Sequence, residues 1–333
     1  MPKDLDFAVV IGIEHYVSNQ QLGGPHKDTE DLVKWLTDPK GGDMPANNVG
    51  VFLSQPTYTP AQTEVDEWID TIFNSIGPGN RGRRLYFYFS GHGIGVNAMN
   101  SAMLLPKWSF SMRNYALSSE KYLLQLVNKG IFEEIFFFMD CCRNRIGGVE
   151  GQPPLWGSAA PSSFSCEYLL YYASEFDNPA FESVLTSDIK TLDNLLPRGL
   201  FTRVLLNGLK GAAADKDGRL KVQDLVNYVK RELPALAHGV GKTQIPRPKI
   251  EIDLEKEIAG PFGKTIDVSI RFQKPGIKVI LEDPDLNEIK KGNSSDEKWD
   301  LTLKRGKYIL RKEEDFNGKQ ISIDGTQTIF NYE

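Results

Sequence analysis

Two residues of this chain stand where chemistry could be done. His92 closes the stretch Arg84-Leu-Tyr-Phe-Tyr-Phe-Ser-Gly-His92-Gly, and Cys142 closes Ile135-Phe-Phe-Phe-Met-Asp140-Cys-Cys142-Arg-Asn144. A thiol is a weak nucleophile at neutral pH, and a neighbouring imidazole can take its proton. Each residue follows a short, almost wholly apolar run, the pattern of a strand buried on both faces of a parallel sheet. Chemistry in such sheets gathers just beyond the carboxyl ends of the strands. If the two strands are neighbours, ~4.8 Å apart, loops leaving one edge bring imidazole and thiol together. The amides of Gly93 and Cys142 then become candidates to hold an oxyanion. The plainer alternative is a small buried thiol and a structural histidine. The matched placement of the two residues after twin strands favours catalysis.

The elements needed to position this pair are legible. Asp6–Ile13 reads as a first buried strand and Asp28–Leu36 as a helix with acidic residues in its first turn. Val49–Leu53 reads as a strand, and Gln62–Ile76 as a helix with Val65, Trp68, Ile69, Ile72 and Phe73 on one stripe. Helix Leu117–Leu126 precedes the strand before Cys142. Alternating strands and helices predict an α/β domain with a mainly parallel sheet. Gly147–Ser165, rich in Gly, Pro, Ser and Ala, predicts a long mobile loop. A further strand, Tyr168–Ala173, and helices over Gly199–Leu209 and Val222–Leu233 follow. Asp215-Lys-Asp217-Gly218 lacks the remaining ligands of a calcium loop and reads as a turn.

From about residue 262 short alternating strands take over: Ile266–Phe272, Lys278–Leu281, Trp299–Leu303, Tyr308–Leu310 and Gln320–Ile323. This predicts a small all-β sandwich. The expected division is 1–258 for the α/β domain and 259–333 for the β domain.

The 333 residues are 40% hydrophobic and 25% charged, ordinary for a soluble globular protein. A net charge of -5 gives no electrostatic case for nucleic acid or an anionic membrane. No apolar run is long enough to span a bilayer, and the start lacks the apolar region of a signal peptide. Three cysteines, two adjacent, make a poor disulfide framework and fit a cytoplasmic location. His15, His26 and His238 stand isolated, so no metal site and no cofactor are expected.

Phe89-Ser-Gly-His92-Gly and Met139-Asp-Cys-Cys142-Arg-Asn144 resemble the His and Cys motifs of caspase-like peptidases (clan CD, family C14), in the metacaspase and prokaryotic caspase-homologue branch. The separation of the two motifs is also the one described for caspases. Ala8-Val-Val-Ile-Gly-Ile-Glu-His-Tyr, Leu22-Gly-Gly-Pro-His-Lys-Asp28, Leu104-Leu-Pro, Ala173-Ser174, Gly199-Leu-Phe-Thr202 and Thr243-Gln-Ile-Pro246 extend the resemblance over residues 5 to 250.

The resemblance implies a three-layer αβα sandwich and a cysteine endopeptidase with Cys142 as nucleophile and His92 as acid and base. It also implies a pocket for the residue before the scissile bond built from Asp28, Ser90 and Asp140. Two carboxylates in that pocket suit Arg or Lys. Ile94–Ser119 holds no Asp or Glu where calcium-dependent metacaspases have an acidic cluster, which argues against calcium dependence. Activation could run through the 147–165 loop, a regulatory partner, or cleavage at Arg143, Arg145, Lys190 or Arg198. The implied roles lie in regulated proteolysis, such as programmed death or antiphage defence. The alternative is a non-catalytic scaffold that binds through its β domain.

Overall fold

The computed structural model describes residues 3–156, 162–184, 197–283, 286–315, 318–325 and 327–332. Lys190 lies outside them. In chain order the elements begin with β1 (Asp6–Gly12), α1 (Pro25–Thr37), β2 (Val49–Leu53), α2 (Gln62–Ile76) and β3 (Gly82–Ser90). Three short strands follow, β4 (Gly93–Gly95), β5 (Ser101–Leu104) and β6 (Ala116–Ser118), then α3 (Ser119–Lys129) and β7 (Phe132–Asp140). Next come β8 (Glu167–Tyr172), β9 (Glu182–Ser183), β10 (Arg198–Gly199), α4 (Leu200–Asn207), β11 (Leu220–Lys221), α5 (Val222–Gly239) and β12 (Arg247–Glu251).

The main sheet runs β12-β8-β7-β3-β1-β2. All its neighbours are parallel except β12, which runs antiparallel to β8 on the edge. The strands are apolar throughout because both faces are covered. Phe87 and Phe137 stack at 4.2 Å between centroids on one face, in a core shared with Val65, Ile69 and Ile72 of α2 and Tyr122, Leu123 and Leu126 of α3. On the other face Trp35 of α1 meets Tyr86 edge-on, and Phe201 of α4 meets Tyr171. Alternate residues of one strand thus feed two separate helical layers, which makes a three-layer αβα sandwich. Each fully buried Phe contributes ~1.5–3 kcal/mol from area alone. At the amino end of the strands, the buried Arg84 donates from Nε to Glu134 Oε2 at 2.7 Å, on the adjacent strand.

Two expectations change. Helix α3 starts at Ser119 rather than Leu117, because the Ser118 side chain caps it by accepting from the Lys121 amide at 3.2 Å. The described part of the 147–165 segment is pinned, not loose. The Gln152 amide donates to the Ala116 carbonyl at 2.6 Å and the Gln152 carbonyl accepts from the Ser118 amide at 2.9 Å. The Leu155 amide donates to Asp66 Oδ2 at 2.9 Å.

The chain divides into two compact units, Met1–Leu206 with Val229–Leu254, and Asn207–Tyr228 with Glu255–Glu333. In the second unit β11 pairs with β13 (Glu257–Ala259). Its remaining strands are β14 (Thr265–Phe272), β15 (Lys278–Glu282), β16 (Glu288–Asn293), β17 (Lys298–Lys304), β18 (Gly306–Lys312), β19 (Lys319–Ile323) and β20 (Ile329–Tyr332). They form sheets ordered β17-β14-β20 and β16-β15-β18-β19 over a shared core that includes Ile270, Leu281, Trp299, Leu310 and Phe330. The sequence pattern misses β16 and β20: β16 is half charged and mostly exposed, and β20 is short. The Asp215 side chain accepts from the Asp217 and Arg219 amides, each at 2.9 Å, and so holds the expected turn.

Candidate active site

β3 and β7 are parallel neighbours in register, with Ser90 opposite Asp140. Both therefore end at the same level, and His92 and Cys142 emerge beside each other from the carboxyl edge. They line one cavity of about 310 Å³ together with Ser90, Asp140 and Glu182. A larger cavity of about 710 Å³, lined by Gln62, Phe110, Arg113 and Tyr115 among others, holds no nucleophile with a base.

His92 is held on three sides. The Tyr16 hydroxyl accepts from its amide at 2.7 Å, and the Tyr16 ring packs against the imidazole at 4.7 Å between centroids. Its Nε2 lies 2.7 Å from the Gln20 carbonyl oxygen. A carbonyl only accepts, so Nε2 carries the proton and Nδ1 is left with the lone pair of a base. Burial holds the His92 pKa below the usual histidine value, with the Gln20 carbonyl opposing.

Cys142 Sγ sits against Ala180, 3.4 Å from its carbonyl oxygen and 3.3 Å from its amide nitrogen. Burial raises the thiol pKa, the Ala180 backbone opposes, and Asp140 and Glu182 raise it further. Among the described residues no hydrogen bond joins the thiol to His92, and the Cys142 amide has no acceptor. Gly93 packs directly on this segment: a Cβ there would stand 2.6 Å from the Cys142 carbonyl oxygen.

The acidic residues fall into two groups. Asp140 lines the cavity; its Oδ2 accepts from the Thr202 amide at 3.0 Å and hydroxyl at 2.6 Å. Burial pushes its pKa up to about 6. Glu182, which no motif signals, lines the same cavity and accepts from the Gly23 amide at 3.4 Å. Burial pushes it up to about 7, with Asp140 adding repulsion. Asp28 is 0% exposed and lies behind the cavity wall formed by Gly199. It accepts from the Gly199 amide at 2.8 Å and is paired with Arg198 at 3.1 Å. Burial first, then Asp140, raises its pKa to about 8, against the pull of Arg198. Ser90 and Asp140 thus open on the cavity beside the thiol, whereas Asp28 is engaged from within the chain.

A family model of the caspase domain (peptidase C14) matches residues 5–256.

The chain belongs to the caspase-domain peptidase family.

That family is one of cysteine peptidases. A probable protease from a Desulfuromonadales bacterium is 29% identical over 267 residues, covering 72% of this chain. This chain spans only 31% of that relative's length. A crystal structure of a protein from Geobacter sulfurreducens is similar at a TM-score of 0.48 and 13% identity, covering 75% of this chain and 97% of its own.

Among the arginines considered as processing sites in this caspase-domain chain, Arg143 is 1% exposed. It donates to Ser101 Oγ, the Ala98 carbonyl and the Asn97 carbonyl at 2.9 to 3.1 Å, and lies 3.8 Å over the Tyr172 ring. That burial removes it from the reach of a protease in the folded chain. Arg145 is exposed, and Arg198 is held by Asp28 and Asp31. His15 and His26, isolated in sequence, are brought to 5.7 Å between ring centroids. Among the described residues no helix is long and apolar enough to cross a membrane.

Proposed function

We propose that the chain is an endopeptidase that cleaves after Arg or Lys with Cys142 as nucleophile and His92 as base and acid. The observation that carries this reading is the shared cavity, where a thiol and an imidazole face the carboxylates of Asp140 and Glu182. In the resting state both reacting groups are neutral, because burial raises one pKa and lowers the other. Proton transfer therefore accompanies attack. The Sγ–H proton passes to His92 Nδ1 as the S–C bond forms, and the amides of Cys142 and Gly93 receive the oxyanion. The imidazolium then protonates the leaving amine. Water, deprotonated by the same imidazole, releases the acyl group from sulfur.

A substrate guanidinium or ammonium entering the pocket would pull the raised carboxylate pKa values down and ionise them. Ser90 supplies a further acceptor at the pocket wall. A role in regulated proteolysis, including programmed death or antiphage defence, belongs to the same proposal.

The test is hydrolysis of fluorogenic peptides that differ only in the residue before the bond: Arg, Lys, Asp or Leu. The expected result is cleavage of the Arg and Lys peptides that Cys142→Ala abolishes, a loss of at least ~10⁴-fold. Preference for Asp would overturn the specificity. Silence of the parent chain, with lysate added as well, would favour the scaffold.

A further inference from the structure

Outside the cleft, Glu14, His15 and His26 form a cluster whose ligand-capable atoms all lie within 4.8 Å of one another. The fold creates it: Glu14 and His15 follow β1, and His26 opens α1. His26 Nδ1 is 3.3 Å from Glu14 Oε2, and its amide donates to Glu14 Oε1 at 2.9 Å. The two rings then converge on one hydroxyl. Ser54 Oγ lies 3.1 Å from His26 Nε2 and 3.4 Å from His15 Nδ1.

Ser54 is fully buried, and its oxygen already accepts from the Glu14 amide at 2.8 Å and the His15 amide at 3.0 Å. A hydroxyl has two lone pairs and one proton. Both lone pairs are used, so the proton can satisfy one of the two ring nitrogens. The other faces a saturated oxygen. Two imidazoles and a carboxylate converging within 4.8 Å is a donor set that a cation would complete.

We propose that Glu14, His15 and His26 bind a divalent metal ion of the zinc class. Imidazole with carboxylate suits zinc and its first-row neighbours, whereas calcium and magnesium take oxygen ligands. Three protein ligands leave one position open for water. Bonds of ~2.1 Å in a tetrahedron require ligand atoms ~3.4 Å apart, a closure that rotation of the two half-buried rings provides. The ligands bracket the loop whose Gln20 carbonyl accepts the hydrogen bond from His92 Nε2. A bound ion therefore staples both ends of that loop without touching Cys142 or His92.

The experiment uses the full chain carrying Cys142→Ala, stripped with chelator and titrated with Co²⁺. The expected result is one Co²⁺ per chain, with visible d–d bands, no thiolate-to-cobalt band, and displacement by Zn²⁺. His26→Gln should raise the Co²⁺ dissociation constant at least ~10-fold, and His15→Gln serves as the second variant if the first does not fold. Absence of bands, affinity unchanged in the folded variant, or a thiolate band placing the ion on Cys141 or Cys166 would each overturn the site. Peptide cleavage plays no part in this readout, so failure of the peptidase reading leaves it standing.

Discussion

Arg198 places Nε 3.1 Å from Asp28 Oδ1 and a terminal nitrogen 3.0 Å from Asp31 Oδ2. The buried carboxylate that a substrate cation was expected to reach is thereby answered by the chain itself. Arg198→Gln removes the main positive charge that lowers the Asp28 pKa, so that pKa, already about 8, rises further. Near pH 6 Asp28 is protonated in the folded state of both proteins, and the loss is that of hydrogen bonds, ~1–2 kcal/mol. Above pH 8 the parent ionises with its partner in place, whereas the variant must keep its proton and loses ~1.4 kcal/mol for each further pH unit until it too ionises. Urea unfolding near pH 6 and near pH 9 should therefore give a larger deficit at the higher pH. Equal deficits would contradict the pairing.

Glu182→Gln should raise KM for an Arg peptide ~10-fold, the worth of one charge-assisted hydrogen bond. A Leu peptide should be little affected. The comparison of the two peptides separates a pocket charge from a general loss of structure.

The ratio of kcat/KM for Arg over Leu peptides should fall as the pH drops from 7 through 6. Glu182, at about 7, and Asp140, at about 6, gain protons in that range and stop attracting a cation. Changes at the thiol cancel in the ratio, because the same nucleophile serves both substrates. Thr202→Val removes the hydroxyl donor that lowers Asp140, so the decline should begin at a higher pH. A ratio independent of pH would place the specificity elsewhere.

Alkylation of Cys142 by iodoacetamide, followed by peptide mapping, should accelerate only above the ordinary thiol pKa of ~8.5. Burial and two nearby carboxylates hold the proton on sulfur, and a neutral imidazole does not offset them. Cys141, 2% exposed and pushed far up by burial, should stay unmodified. An acidic plateau in the Cys142 rate would mean a preformed thiolate–imidazolium pair.

In limited trypsinolysis of the native chain, cleavage should spare Arg143 and occur at Arg145. Arg143→Met should lower stability by ~3 kcal/mol or more, because several carbonyls and a hydroxyl lose their donor inside the protein. The midpoint of thermal unfolding measures this.

The α/β architecture was legible because Phe-rich runs ending at Ser90 and Asp140 leave few alternatives to buried parallel strands, and parallel neighbours end at one level. His92 and Cys142 could be read as a pair for that reason. Glu182 could not, since it sits on a two-residue strand whose position depends on its pairing with Arg198–Gly199. Gln20 was equally hidden: it contributes a backbone carbonyl, and the backbone leaves no mark in residue type. The histidines beside Glu14 looked isolated because only the turn from β1 into α1 brings them to Ser54. Spacing along the chain carries no trace of that fold-back.

The guanidinium immediately after Cys142 is bolted to the turn at Asn97–Ala98 and to the Tyr172 ring, while His92 leans on a phenol and one carbonyl of an exposed loop residue. Cys142 and His92 thus differ in freedom. Sulfur is the fixed anvil. If the two act together as proposed, the travel that closes the gap between them on substrate arrival belongs to the imidazole and the segment that carries Gln20.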